Sequence, residues 1–390
     1  MTSSDKRKKL LTTSFFISVL FALHFAIPMY VISTFLGKYI NPSYIGFIYS
    51  LAGVIAIIIG AQIGKFIKQF HSYRTSLYIL FGAILVTILL PFVHNIYIII
   101  FLLCAHIIFI SLFTTMLNYF IEDFDDDAKT GQTRGIHLTL LNTGILFSPL
   151  LAESILSRFS FYGLWISSGL CLLPIMYLIR HNYKNIKDPV FKNPNTLLAI
   201  KKIIKDKNIF AIFISVLSLE CFYITMAIYA PTVLKTNLNI SIQTYLSVLL
   251  PFALLPFVIF PYHLGKIADK NYGEKEILII GLIILTLTTF IFPNLTNLNL
   301  FTVAIFLFIS RAGASLIETM CEVYFYKKVT ASQISTITLF SQIRLMSYLI
   351  MPLISSIILI LNIPISYVFY ILGLIFIFAL HKVRFLIDTK

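Results

Sequence analysis

Apolar stretches long enough to cross a bilayer alternate with short polar breaks along the whole chain, and the alternation repeats twelve times. A hydrocarbon core about 30 Å thick takes roughly 20 residues at about 1.5 Å each, because every backbone amide must bond within its own segment. The pattern predicts spans at residues 10–36, 43–64, 75–92, 96–120, 135–157, 161–180, 208–234, 242–262, 276–293, 299–325, 332–359 and 364–386. The predicted fold class is therefore all-α, a polytopic membrane protein. Its longest polar stretch divides it into a six-helix unit at 1–180, a linker at 181–207 and a second six-helix unit at 208–390.

Composition sharpens this picture without changing it. With 58% hydrophobic residues, 12% charged residues and a mean hydropathy of +0.92, the chain leaves little length for a soluble catalytic domain. The first span follows Lys6, Arg7, Lys8 and Lys9 as a signal sequence would. Its apolar run is too long and no small-residue cleavage site follows, so it is expected to remain as an anchor.

A net charge of +14 raises the question of nucleic acid, and the placement of the charges answers it. With a cytoplasmic N-terminus, 25 Lys and Arg fall on inner segments and only Lys38, Arg158 and Lys235 on outer loops. That bias places both termini in the cytoplasm of a cell-membrane protein and makes the bilayer, not nucleic acid, the partner of the charge. The linker carries Lys184, Lys187, Lys192, Lys201, Lys202, Lys205 and Lys207, which suit anionic headgroups. Cys104, Cys171, Cys221 and Cys321 lie in apolar spans without metal-like spacing and read as packing residues.

Two polar landmarks recur at one offset. Gly60-Ala-Gln-Ile-Gly64-Lys65 closes the second span and Gly265-Lys-Ile-Ala-Asp269-Lys270 the eighth, 205 positions later. The same shift carries Tyr119-Phe120 onto Tyr324-Phe325 and His106 onto Arg311. In spans five and eleven the shift is 203, setting Gly144 to Pro149 against Ser347 to Pro352. Several landmarks in order indicate a duplicated six-helix unit and two pseudo-symmetric bundles.

These residues resemble the major facilitator superfamily of secondary transporters. Gly265-Lys-Ile-Ala-Asp269-Lys270-Asn-Tyr-Gly273-Glu-Lys275 is similar to that family's loop motif, with one extra residue before Gly273. In the first copy Gly60, Lys65, Lys68 and Arg74 fit, but Gly64 stands where the family has Asp. Gly144, Ser148, Pro149 and Ala152 are similar to the family's fifth-helix pattern, with Ser148 in place of a Gly. The family's fourth-helix Arg is missing, and His106 lies on that helix instead. The resemblance implies a monomeric transporter working by alternating access, with no cofactor. It also implies a cytoplasmic gate built from Gly60, Lys65, Arg74, Glu122, Gly265, Asp269, Lys270, Lys275 and Glu322, with Gly144, Pro149 and Pro352 as a helix-packing hinge. An Asp at such a turn can accept bonds from a neighbouring helix N-terminus, and a Gly lets two helices approach closely.

Ionisable residues inside spans each cost about 2.5 to 3.5 kcal/mol on insertion scales, so they need partners or a wet cavity. Counted along the helices, Glu220, Arg311 and Arg344 lie roughly 18 to 22 Å deep and Glu318 nearer 12 Å. Arg311, Glu318 and Glu322 share one helix face, which is expected to look into a central cavity or onto span eleven, where Arg344 is available. One carboxylate there could release and rebind a proton as pairing changes, coupling protons to a small solute. The first half offers a milder set: His24, His106 and His137, as packing residues or as ligands and proton carriers, and Asn142, which can hydrogen-bond a substrate or a neighbouring helix.

Glu322 is expected to lock the gate with Lys275 or Lys328. Glu122 or Asp123 of the acidic run Glu122–Asp127 is expected to reach Arg74, since the run lacks the Gly and distal Glu of a calcium loop. No Gly-x-Ser-x-Gly, His-Glu-x-x-His or Walker sequence supports an intramembrane enzyme. A channel or receptor on the same scaffold is the competing class, and counterflow separates it from a transporter. The 36 Phe and 21 Tyr lean the expectation towards export of an amphipathic compound, against uptake of a sugar or organic anion.

Overall fold

A computed structural model of the chain describes residues 3–41, 44–125, 130–184, 186, 188, 196–270 and 273–389. Asp126, Asp127, Lys187, Lys192 and the side chains of Lys6 and Lys270 lie outside the described residues.

Among the described residues twelve membrane helices follow one another in the predicted order. Span one is Ser3–Met29, continued by Ile32–Leu36; span two is Ile45–Gly60, span three Ile63–Leu89 and span four Ile96–Phe124. The helix Thr130–Leu170 supplies span five and, beyond a break at Ser160 (φ 55°), the first half of span six, which Leu172–Asn182 completes. Span seven is Lys207–Leu238, span eight Ile242–Thr244 through Tyr245–Leu249 to Leu250–Lys270, and span nine Lys275–Ile291. Span ten is Leu300–Lys328, span eleven Ile334–Ser341 with Ile343–Ile360, and span twelve Ser366–Val383. Their apolar residues are divided between core and lipid, which is why rings such as Tyr97 and Phe101 stand exposed in span four while Phe113 is buried.

The duplication extends to the turns. Spans three and nine each end in a short 3-10 turn holding a proline, Pro91 and Pro293. Asn95 and Asn299 then cap spans four and ten through their side-chain oxygens, satisfying amides that the first helical turn leaves free. Spans one and seven carry matching internal prolines, Pro28 and Pro231.

The linker contains an amphipathic helix, Thr196–Lys205. It buries Ala199 and Ile203 and leaves Lys201, Lys202 and Lys205 exposed.

The bundles meet along two seams, span two against span eleven and span five against span eight. Both are lined by small residues. Gly46, Gly53 and Gly60 of span two face Pro352, Leu345 and Gln342, while Gly131 and Gly135 of span five face Gly265 and Pro261. Between the seams lies a cavity.

Candidate functional site

The cavity has two adjoining lobes of about 120 and 130 Å³ that share Phe25, Leu141, Glu220, Glu318, Arg344 and Tyr348. Each bundle supplies part of the wall.

Span eleven places Arg344 two residues beyond its break at Gln342, and its Nε donates to Glu220 Oε2 of span seven at 3.1 Å. Glu318 of span ten accepts a bond from Asn142 Nδ2 of span five at 3.3 Å, which ties the two bundles together at mid-depth. Arg344 lies within electrostatic reach of both carboxylates. Thus four of the predicted residues, from spans five, seven, ten and eleven, converge on one cluster.

Arg311 does not join it. Its guanidinium sits 4.6 Å above the Phe222 ring and bonds to Tyr245. It lines one lobe with His106, Tyr30 and Tyr223.

His24 and His106 are buried, their rings 5.3 Å apart, and His106 lies edge-on to Trp165. Serine and threonine hold them: His24 Nδ1 pairs with Ser168 Oγ at 3.0 Å and His106 Nδ1 with Thr87 Oγ1 at 3.1 Å. His137 likewise pairs with Ser18, at 2.9 Å. Of these three, His106 reaches the lobe that holds Arg311 and His137 the other.

The end of the protein that bears both termini is shut. Span five starts with Gly131-x-x-x-Gly135, a small-residue spacing that brings its backbone against Gly265 of span eight. That approach delivers Asp269 to the helix start. Its Oδ1 accepts from Gly131 N at 3.2 Å and its Oδ2 from Gln132 N at 2.9 Å, in the field of the helix dipole. Lys327 Nζ of span ten lies 3.3 Å from Asp269 and donates to Glu274 at 2.9 Å. Burial opposes ionisation of Glu274, but bonds from Lys327 and Thr389 outweigh it and hold its carboxyl below the usual range.

Beside this seam Arg134, fully buried, donates to Glu122 Oε2 at 2.7 Å and lies 3.1 Å from the centre of the Tyr326 ring across the bundle boundary. This corrects two expected pairings. Glu122 bonds Arg134 while Arg74 stands exposed, and Asp123 meets Arg7 through its backbone carbonyl at 3.0 Å. Glu322 faces the same guanidinium instead of Lys275 or Lys328, since its helix face turns inward and Lys328 points to the surface. Lys275 contributes its amide, which bonds Asp388 at 2.9 Å.

At the other seam Gly60 packs on the Gln342 amide and Lys65 is exposed. Gly144 packs on Val19 and Ala22 of span one, within its own bundle, and the helix continues past Pro149. Pro352 meets Gly46 across the seam.

Sequence reasoning missed a pair of matched carboxylates. Asp188, after span six, accepts from Ser72 N at 2.9 Å and from Tyr119 Oη at 3.1 Å, while Asp388, after span twelve, accepts from the Lys275 amide. Tyr324, the repeat partner of Tyr119, bonds the carbonyl of Ile387 at 2.8 Å. The repeated tyrosines therefore hold residues that follow spans six and twelve, Asp188 and Ile387. Tyr223 was also missed, although it lies three residues from Glu220 on the same helix face.

Two six-helix bundles around a central polar cavity, closed at one end, define a membrane transporter. A family model for the Major Facilitator Superfamily matches residues 14–340 and 222–389, and the chain belongs to that family, whose members carry small solutes across membranes. No curated protein sequence matches it.

Solved structures show the same fold at low identity. The human organic anion transporter MFSD10 (TETRAN) is 11% identical with a TM-score of 0.72, over 98% of this chain and 100% of that one. A bacterial homologue of the iron transporter ferroportin, in an outward-facing state, is 14% identical with a TM-score of 0.72, over 96% and 98%. The proton:xylose symporter XylE bound to 6-bromo-6-deoxy-D-glucose is 13% identical with a TM-score of 0.70, over 100% and 98%.

Proposed function

We propose that this chain is a proton-coupled secondary transporter of the cell membrane, working as a monomer by alternating access with both termini in the cytoplasm. The observation that carries the reading is the three-way cluster of Glu220, Arg344 and Glu318 in the cavity. A proton arriving on Glu220 releases the Arg344 guanidinium to Glu318, and that in turn weakens the Asn142 bond joining the two bundles. Proton exchange and bundle rocking then act on the same side chains. The excess of inner Lys and Arg supports the orientation, which makes the Asp269 end the cytoplasmic gate.

Aromatic content carries no weight for direction. Many rings pack on one another inside the bundles, as Phe325 does on Phe340 at 3.8 Å, or face outward as Phe101 does. Arg311 and Arg344 in the cavity wall support a solute that carries negative charge.

Glu220→Gln in proteoliposomes tests the coupling. Accumulation driven by a proton gradient is expected to fall at least about tenfold, the scale of losing one charge-assisted contact. Counterflow, in which excess unlabelled solute drives labelled solute against its own gradient, should persist; an open pore would not support it. Unchanged uphill accumulation removes Glu220 from this role.

A further inference from the structure

Arg311 is 5% exposed, and among the described residues no carboxylate lies within ion-pair distance of it. Arg344, by contrast, already has Glu220. A guanidinium buried at mid-membrane without a counter-charge is expensive, and ring faces such as Phe222 offset only part of that cost. Its Nη1 has no hydrogen-bond partner, and neither does the buried hydroxyl of Tyr223 beside it. Both residues line the lobe, so two donors there lack an acceptor. The remaining wall is mostly apolar or aromatic, with Phe25, Ile224, Ile228, Leu254 and Phe257.

We propose that the solute is an organic monoanion with a compact apolar or aromatic body, its carboxylate held by Arg311 Nη1 and the Tyr223 hydroxyl. This deepens the transporter reading and rests on it. A carboxylate supplies the acceptor that both donors lack, and a guanidinium presents them in a fork that matches it. The charged and titratable groups facing Arg311 across the lobe are Arg344, Glu220, Glu318 and His106. With one carboxylate carrying the coupled proton, cations outnumber anions there, so proton and anion favour each other's binding.

The single Trp165 touches His106 at the lobe's edge and provides a binding signal without any gradient. Purified protein is titrated with benzoate, phenylacetate, indole-3-acetate and octanoate, and with the amide of each. At least one acid should give a saturable change about tenfold tighter than its amide, the scale of a charge-assisted pair. In Arg311→Gln that preference should vanish while amide binding stays the same, and Arg311→Lys should restore part of it. The variants' melting temperatures confirm that they are folded. Equal binding of acid and amide, retention of the preference in Arg311→Gln, or no response to any acid overturns the assignment. Because the titration needs no coupling, a Glu220→Gln variant that still accumulates solute would defeat the coupling reading and leave this one standing.

Discussion

The two seams between the bundles have the same architecture and different chemistry. Where span five meets span eight, glycines on both sides put backbone against backbone, and Asp269 clasps the first amides of the opposing helix. Where span two meets span eleven, Gly64 stands at the equivalent of Asp269, and Gly60 rests on the flexible end of Gln342. Among the described residues the second seam has no carboxylate latch at this end, where packing and a neutral bond from Asn118 Nδ2 to Ser341 Oγ at 3.1 Å join the bundles, while the first is also locked by charge. A duplicated fold can keep its shape while one copy gives up the polar latch, because helix approach depends on small residues and the latch on a single carboxylate.

The sharpest test of this contrast is a methyl group on each side. In Gly265→Ala the new Cβ meets the Gly131 carbonyl, which is backbone and cannot swing aside. Overpacking of this kind costs about 1 to 3 kcal/mol, or about 5- to 150-fold in the closed-end population. Accessibility of a cysteine placed below the cavity should rise accordingly. In Gly60→Ala the Cβ meets only the Gln342 side chain, so the same assay should change by less than about threefold. Equal effects would mean that the seams are equivalent.

Asp269→Asn comes next. It keeps the shape but removes the charge from two amide contacts and from Lys327, and closed-end population should fall about tenfold. An unchanged cysteine accessibility would show that the charge of Asp269 does not hold this seam.

The smallest effect is expected from Glu274, which braces the same latch through Lys327. Its carboxyl is held below the usual range, so the folded protein gains stability from it above the unfolded value of about 4.3. That stability is lost as pH falls from there through the folded value. The melting temperature of Glu274→Gln should lie about 1 to 3 °C below that of the parent at neutral pH and converge with it in acid. Parallel curves would show that Glu274 does not titrate with folding.

Much of the candidate site was legible before any coordinates, and the limit is instructive. Glu220, Arg311, Glu318 and Arg344 stood out because a charge in an apolar run is rare enough to be seen one residue at a time. Their pairing was not legible. Arg311 and Glu318 share a helix face, yet Arg311 turns to Tyr245 and Phe222 while Glu318 bonds Asn142 of the other bundle. The gate divided in the same way. Asp269 was marked by its motif, whereas Glu122 was matched with Arg74 and in fact meets Arg134, twelve residues further along in the first turns of span five.

Sequence by itself determined the class, the twelve helices and the duplication, because lipid demands long apolar runs and each run is a local property of the chain. It also determined which residues were too polar to face hydrocarbon. Only the tertiary structure decided which of them meet, since partners such as Arg344 and Glu220, or Asp269 and the start of span five, are more than a hundred residues apart. Which donors are left without an acceptor in the cavity was decided there too, for an unmet hydrogen bond is a property of the assembled wall and of no single segment.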